Sequence, residues 1–333
     1  MTALDNKPAI RGGVHVAQKH DSGHKHVSGM AEYIDDMLEP AGTLHAYLGL
    51  STTAHGEIRS LALEAVRQAP GVVGVLTADD VPGHNDISQP GKHDEPIFAE
   101  TKVEFFGQPL FAVVATTREA ARRAAKLAQV SYTELPFALD VGAAREAGGT
   151  LVTPGMKLER GDVAAGMAAA KHRVTGTMEM GGQDHFYLEG HIALAIPGED
   201  DEVTVHSSTQ HPSEVQHMVG HALGVPSNAV NVVVRRMGGG FGGKETQSNL
   251  FAAVAAIAAK KFNRAVKIRP DRDDDMIATG KRHDFIVDYA VGYDDDGRIE
   301  AVDAVFAARC GFSADLSGPV TDRALFHADN CYF

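Results

Sequence analysis

The sharpest chemical feature of the chain is Gly238-Gly239-Gly240-Phe241-Gly242-Gly243, followed by Lys244 and Glu245. A run this rich in glycine leaves backbone N–H groups uncovered, so that they can point at one guest, as in loops that cradle a phosphate or another anion. An ordinary turn needs one or two glycines and each further one costs chain entropy, which favours a cofactor or substrate loop over a tight turn. The run is not a nucleoside-triphosphate loop, because Glu245 stands where that motif needs Ser or Thr. A loose G-x-G-x-x-G spacing starts at Gly238. Arg235-Arg236 precede it, however, and an acidic run, 271–275, follows the next strand in place of a single ribose carboxylate, which argues against a dinucleotide site.

If the glycines line a pocket, one of Lys244 and Glu245 faces it and the other is a surface charge. A carboxylate at Glu245 can accept hydrogen bonds from ring N–H groups; the alternative is a glutamate placed at a helix start by the dipole. Arg323 offers a rigid fork to a carbonyl or an oxyanion, or else pairs with Asp322 or lies on the surface. Gln210 can donate an amide N–H into a site, or is a strand-end amide. His185, Glu189 and His191 resemble a metal set only if their segment is a regular strand. Asp273 to Asp275 read as a solvated turn, and His15, His20, His24 and His26 as part of a flexible leader rather than a ligand set. There is no G-x-S-x-G and no H-E-x-x-H, so serine-hydrolase and zincin chemistry have no support.

The elements that must position these groups follow from periodicity and punctuation. Strands are expected at 44–50, 72–77, 109–115 and 130–132, and helices at 61–68 and 118–129. A long loop spans 80–100. This alternation describes a small α/β domain over 28–139, after a leader over 1–27. Residues 140–171 read as a connection with a short helical piece at 163–170. A second domain over 172–333 then holds strands at 203–207, 230–235 and 266–269, and helices at 213–223 and 249–261. Its hairpin joins 285–289 to 299–307 through Asp294-Asp295-Asp296-Gly297. Ser213 with Gln216 has the form of a capping box.

The net charge of -13, from 44 acids and 31 bases, repels a phosphate backbone, so nucleic acid is not an expected partner. The densest basic cluster, Arg118, Arg122, Arg123 and Lys126, lies on an expected helix and reads as solvated. With only Cys310 and Cys331, the chain cannot supply four thiolates to an iron–sulfur cluster. The absence of an apolar leader core or a long apolar run points to a cytoplasmic protein without a membrane span.

Several segments in order resemble one family. RRMGGGFGGKE (235–245), GGQDHFYLEG (181–190), SSTQHPSEVQ (207–216), TGKRHDF (279–285) and DRALFHADNCY (322–332) resemble the molybdopterin-binding subunits of the xanthine dehydrogenase and aldehyde oxidase family, in their bacterial form. SGMAEYIDDM (28–37) resembles the opening of that family's hammerhead domain. The resemblance implies a mixed α/β (α+β) fold: the hammerhead domain at 28–139, then the first, incomplete part of the molybdopterin-binding domain. It also implies hydroxylation of an electron-poor ring carbon, or of an aldehyde carbon, at a molybdenum–molybdopterin cofactor. Electrons then leave through 2Fe–2S clusters and FAD on a partner subunit to NAD+, in a heterotetramer.

By motif position, Gln210 would hydrogen-bond the apical oxygen on molybdenum, and Gly239, Gly240, Phe241 and Gly242 would line the cofactor. Glu245 would bind the purine ring, and Arg323 its far carbonyl. No side chain would ligate the metal directly. The pair Glu245 and Arg323 favours xanthine and hypoxanthine, oxidised to urate, over aldehydes, because aldehyde oxidases usually carry apolar residues at both positions. The family's arginine–phenylalanine–glycine segment and its distant base glutamate have no counterpart before Phe333, so the resemblance implies a fragment inactive alone. An aldehyde oxidase or other N-heterocycle hydroxylase, and a non-catalytic orphan piece, remain the alternatives.

Overall fold

A computed structural model describes His15 and residues 17–328. In chain order the elements are α1 (Gly23–Ser28), β1 (Leu44–Leu50), β2 (Gly56–Ala62), α2 (Glu64–Arg67), β3 (Val72–Leu76), β4 (Lys102–Val103), β5 (Pro109–Ala115), α3 (Arg118–Ala125) and β6 (Gln129–Glu134). They continue with α4 (Val141–Glu146), α5 (Val163–Ala169), β7 (His172–Met180), β8 (Ala193–Pro197), β9 (Val203–Ser207), α6 (Pro212–Leu223), β10 (Val230–Val233) and α7 (Ser248–Phe262). The last are β11 (Val266–Ile268), α8 (Arg272–Ala278), β12 (Phe285–Tyr293), β13 (Ile299–Ala308) and α9 (Ser317–Phe326).

The mixed α/β class is as expected. One mixed seven-stranded sheet, in the order β10-β9-β8-β11-β1-β5-β3, takes strands from both sides of the 140–171 connection. β1 pairs in parallel with β11 and antiparallel with β5, so the two halves of the chain share one sheet. Every residue of β5 is buried, because both faces of the sheet are covered: Ala112 and Val114 join the core under α7, while Leu110, Val113 and Ala115 face α3. A strand covered on both faces reads as a continuous apolar run rather than an alternation. α7 lies in the core and is buried from Ser248 to Ala259, which its alanine-rich, nearly charge-free sequence allows. Two three-stranded sheets, β13-β12-β7 and β4-β2-β6, complete the fold.

Several local expectations are corrected. The helix expected at 61–68 is the end of β2 followed by the single turn of α2. The α6 cap is His211, with Pro212 in the first turn and no side-chain cap; Gln216 instead donates from Nε2 to Val230 O at 2.8 Å. No capping box forms at Ser213, because Pro212, with its φ preset for a helix, starts α6 one residue earlier. The acidic run is not a solvated turn. It begins α8, where carboxylates favour the N-terminal dipole, and Asp275 is buried. The basic cluster on α3 is partly paired: Arg118 and Arg122 both meet Asp271. Arg235 and Arg236 hold Asp21 and Ser22, just ahead of α1, while Cys331 lies outside the described residues.

Candidate functional site

The site is assembled at one edge of the large sheet. β9 and β10 are parallel neighbours, with Val203 opposite Val230, so their C-terminal ends emerge together. Gln210 stands three residues past the end of β9, and the glycine run follows the end of β10. Ligand crevices of α/β sheets sit outside such strand ends.

The glycine run folds back onto Gln210. The amide oxygen Oε1 accepts N–H groups from Gly242 at 2.9 Å and Lys244 at 3.2 Å. The Gln210 backbone N–H donates to Lys244 O at 2.8 Å. With Oε1 so occupied, Nε2 is the remaining end of an exposed side chain and has no partner among the described residues. Close approach explains the glycine at 240: a Cβ there would lie 2.5 Å from Gln210 Oε1. Gly242 has φ of +94°, a left-handed conformation that disfavours any side chain. Phe241, at φ +53°, is turned out and is 63 % exposed.

Lys244 and Glu245 part company. Lys244 is fully buried: its Nζ donates to Glu189 O at 2.6 Å and Ser208 Oγ at 2.7 Å, and lies 4.6 Å from the centre of the Tyr187 ring. Burial pushes its ammonium down to about 8, against the pull of Glu189 and Asp275. Glu245 is exposed and precedes α7 by a short turn, so it is not a helix-start glutamate.

Behind Lys244 lies a second buried group. Asp275 accepts Tyr187 OH at 2.6 Å and the His191 backbone N–H at 2.7 Å, with His191 Nδ1 at 3.1 Å. Burial alone would raise the Asp275 carboxyl, but the His191 and Tyr187 hydrogen bonds outweigh it and hold it well below the usual carboxylate range. Burial lowers His191, against the pull of the Asp275 carboxylate. His191 and Glu189 are thus committed to internal bonds, and no group of three or more ligating side chains among the described residues is placed to hold a metal ion.

Gln210, Gly240, Gly242 and Lys244 are brought together by direct contact. Glu245 Oε1 lies 3.8 Å from the position a Gly242 Cβ would take, with Arg282 Nη1 at 3.8 Å and His185 Nε2 at 4.0 Å. Arg323 lies in α9, exposed, with neither an ion pair to Asp322 nor a hydrogen bond to Glu245 or Gln210 among the described residues. The sequence reading missed the supports: Lys244 as a buried post, Glu189 and Asp275 beneath it, and Arg282, which donates from Nη2 to Phe241 O at 2.7 Å. Their partners lie tens of residues away in the chain, so no local pattern signals them.

A family model described as "Molybdopterin cofactor-binding domain" matches residues 145–333. The chain belongs to the molybdopterin cofactor-binding domain family. Ahead of that match, the "Aldehyde oxidase and xanthine dehydrogenase, a/b hammerhead domain" model matches residues 28–136. Among its relatives, this member of the molybdopterin cofactor-binding family is 41% identical over 314 residues to a xanthine dehydrogenase/oxidase of Felis catus, covering 94% of this chain and 23% of that protein. It is 42% identical over 328 residues to a xanthine dehydrogenase of Oryza sativa subsp. japonica, covering 97% of this chain and 24% of that one. The aldehyde oxidoreductase of Desulfovibrio gigas superposes with a TM-score of 0.77 at 27% identity, over 86% of this chain and 34% of that one. The chain thus spans about a quarter of the length of the curated relatives it matches.

The residues present fit part of a molybdopterin cofactor's surroundings. The turn offers a surface without side chains at Gly239, Gly240 and Gly242, backed by a buried cation at Lys244. The free amide of Gln210 stands at its edge. Among the described residues no helix is long and apolar enough to cross a membrane.

Proposed function

We propose that the turn at Gly238–Gly243 and Gln210 form one wall of a molybdenum–molybdopterin site in a cytoplasmic purine hydroxylase of the xanthine dehydrogenase kind. The observation that carries this reading is the double occupancy of Gln210 Oε1 by the Gly242 and Lys244 N–H groups. It fixes the amide flip, so Nε2 can only donate outward, toward a guest on the open face of the turn.

When bound, the cofactor supplies two-electron hydroxylation of an electron-poor carbon, with water as the oxygen source. The chain's own groups bind and orient. Gly239, Gly240 and Gly242 let the backbone approach the cofactor closely, Phe241 offers an apolar wall, and Gln210 donates one hydrogen bond to the cofactor. Glu245, exposed and without a partner among the described residues, accepts from ring N–H groups of hypoxanthine or xanthine. Arg323, likewise without a side-chain partner among the described residues, offers its fork to the far carbonyl as negative charge develops there. A pocket built to satisfy polar groups on the substrate rejects molecules that leave those groups unpaired, which favours purines over simple aldehydes. Electrons would leave through 2Fe–2S clusters and FAD on a partner subunit, with NAD+ as the acceptor. The chain's two cysteines cannot build such a cluster alone.

The test is metal analysis of the purified full-length parent of this chain, matured in cells that make the cofactor, followed by steady-state rates with its electron-transfer partner. Molybdenum near one per chain and a higher kcat/KM for xanthine than for an aromatic aldehyde are expected. A preference for the aldehyde would favour an aldehyde oxidase, to which the Desulfovibrio likeness also points. Protein that takes up no molybdenum would favour a non-catalytic piece.

A further inference from the structure

A turn made of glycines has no side chains with which to anchor itself, so whatever fixes its shape must grip its backbone from outside. Two residues do so. At the start of the turn Glu189 holds both polar groups of Gly238: Oε2 accepts the Gly238 N–H at 2.7 Å, and the Glu189 N–H donates to Gly238 O at 3.1 Å. At the far end Gln210 holds both polar groups of Lys244, accepting its N–H at 3.2 Å and donating to its carbonyl at 2.8 Å.

The two grips are joined by one side chain. Lys244 runs back beneath the turn, and its Nζ reaches Glu189 O at 2.6 Å and stands 3.7 Å from Glu189 Oε2. Ser208, two residues before Gln210, bonds to both partners: it accepts from Lys244 Nζ at 2.7 Å and donates to Glu189 Oε2 at 2.6 Å. The Lys244 side chain is fully buried and that of Glu189 is 9 % exposed, so neither charge can exchange its partner for water. A buried charge left alone is costly, which makes the pair all-or-none.

We propose that Lys244 and Glu189 are positioning residues, a buried clasp that ties the two ends of the glycine turn together and thereby holds the Gln210 amide in its outward orientation. The clasp itself stands on the distances above; its consequence for cofactor retention rests on the proposed molybdopterin site. Opening it frees Gly238 at one end and Lys244 at the other. Gln210 Oε1 then loses its donors, and the amide can rotate.

The experiment is amide hydrogen–deuterium exchange of the protein before cofactor loading, with Lys244→Met and Glu189→Gln beside the wild type. In Lys244→Met, peptides covering Gly238, Gly242 and Lys244 should exchange at least tenfold faster, while peptides from α7 keep wild-type protection. Glu189→Gln preserves shape and an acceptor for Gly238 but removes the countercharge, so a smaller acceleration, several-fold, is expected in the same peptides. The double variant, which buries no unpaired charge, should regain the wild-type melting temperature without regaining protection of the turn. Unchanged exchange of the turn in the foldable single variants would overturn the clasp. Acceleration in α7 equal to that in the turn would overturn it as well, because Lys244 would then be an ordinary core residue. Molybdopterin retention after loading is read separately, by fluorescence of the released, oxidised pterin. Both single variants should lose the cofactor faster than the wild type. Faster exchange of the turn with unaltered retention would leave the clasp standing and remove the cofactor reading.

Discussion

The arm that carries Gln210 and the glycine turn and the arm that carries Arg323 are built in opposite ways. The first springs from the parallel pair β9–β10, whose inner face is buried, and is backed by buried Lys244 and Asp275. The second follows the three-stranded sheet β13-β12-β7, where only Gly292 and Ala301 are buried, and ends in α9, which buries only Ser317. The difference suits different tasks. A surface for a cofactor must be rigid before the guest arrives, whereas a group that selects among substrates can sit on a peripheral element and act through charge alone.

The strongest way to break this contrast is to remove the post beneath the first arm. Asp275→Ala strands the Tyr187 hydroxyl and the His191 N–H groups and leaves Lys244 with less countercharge. A loss of about 3–5 kcal/mol in chemical denaturation is expected. The pH dependence has a definite sign. The folded carboxyl is held below its unfolded value, so its contribution is complete above about pH 4 and fades as pH falls through the folded value. Wild type and variant should therefore converge in stability below about pH 4. A gap that persists undiminished at pH 2 to 3 would show that packing, rather than ionic hydrogen bonding, dominates there.

Arg323→Met probes the second arm and should do the reverse. The side chain is exposed and has no partner among the described residues, so stability should change by no more than about 0.5 kcal/mol. Purine turnover by the partnered enzyme should fall by about 10²- to 10³-fold, while an aldehyde, which has no carbonyl at that distance, is spared. Equal losses on both substrates would dissolve the distinction between a cofactor arm and a selecting arm.

A subtler disturbance of the first arm is Gly240→Ala. The new methyl would stand 2.5 Å from Gln210 Oε1 and 2.8 Å from Cδ, atoms at the movable end of a side chain. The fold should yield by moving Gln210 at a cost of about 1–3 kcal/mol. Molybdenum content should then drop more steeply than melting temperature. If the two fall together, the turn is part of the core rather than a surface laid on it.

The same contrast explains what could be read from the sequence. β5 and α7 were legible because burial on all sides imposes an unbroken apolar or alanine-rich composition, and the hairpin of β12 and β13 because Gly297 closes its turn at φ +80°. β7 escaped because Gly176 interrupts the alternation of Val174, Met178 and Met180, which burial does not reinforce; α9 escaped because Gly318-Pro319 at its start resemble a turn. At the site, the glycines and Gln210 were legible as residue types. That Lys244 is buried while its neighbour Glu245 is exposed was not, because the decision lies with Glu189 and Ser208, brought near only by the fold.

The smallest effect concerns how the second arm is docked. The segment leading into α9 rests on the loop at 86–95: Asp94 Oδ2 accepts the Ala314 N–H at 2.7 Å, and Ser313 Oγ donates to Glu95 Oε2 at 3.4 Å. Burial, together with the negative charges of Asp315 and Asp94, pushes the Glu95 carboxyl up to about 8. It is therefore neutral in the fold at pH 7 but ionised in the unfolded chain. The folded state then binds more protons than the unfolded one between about pH 4.5 and 8, so stability from this group is complete at the acid end and is lost as pH rises to the alkaline end. Glu95→Gln, always neutral, lacks this dependence. The wild type should lose roughly 1 kcal/mol relative to the variant between pH 5 and 8, once solvent screening of a partly exposed group is discounted. Denaturation curves at the two pH values measure this directly. The loss should be accompanied by faster amide exchange at 313–317 and in α9, with the glycine turn unaffected. Exchange that rises equally in the turn would mean that the two arms open as one unit, and the contrast between a rigid cofactor surface and a peripherally docked arginine would have to be abandoned.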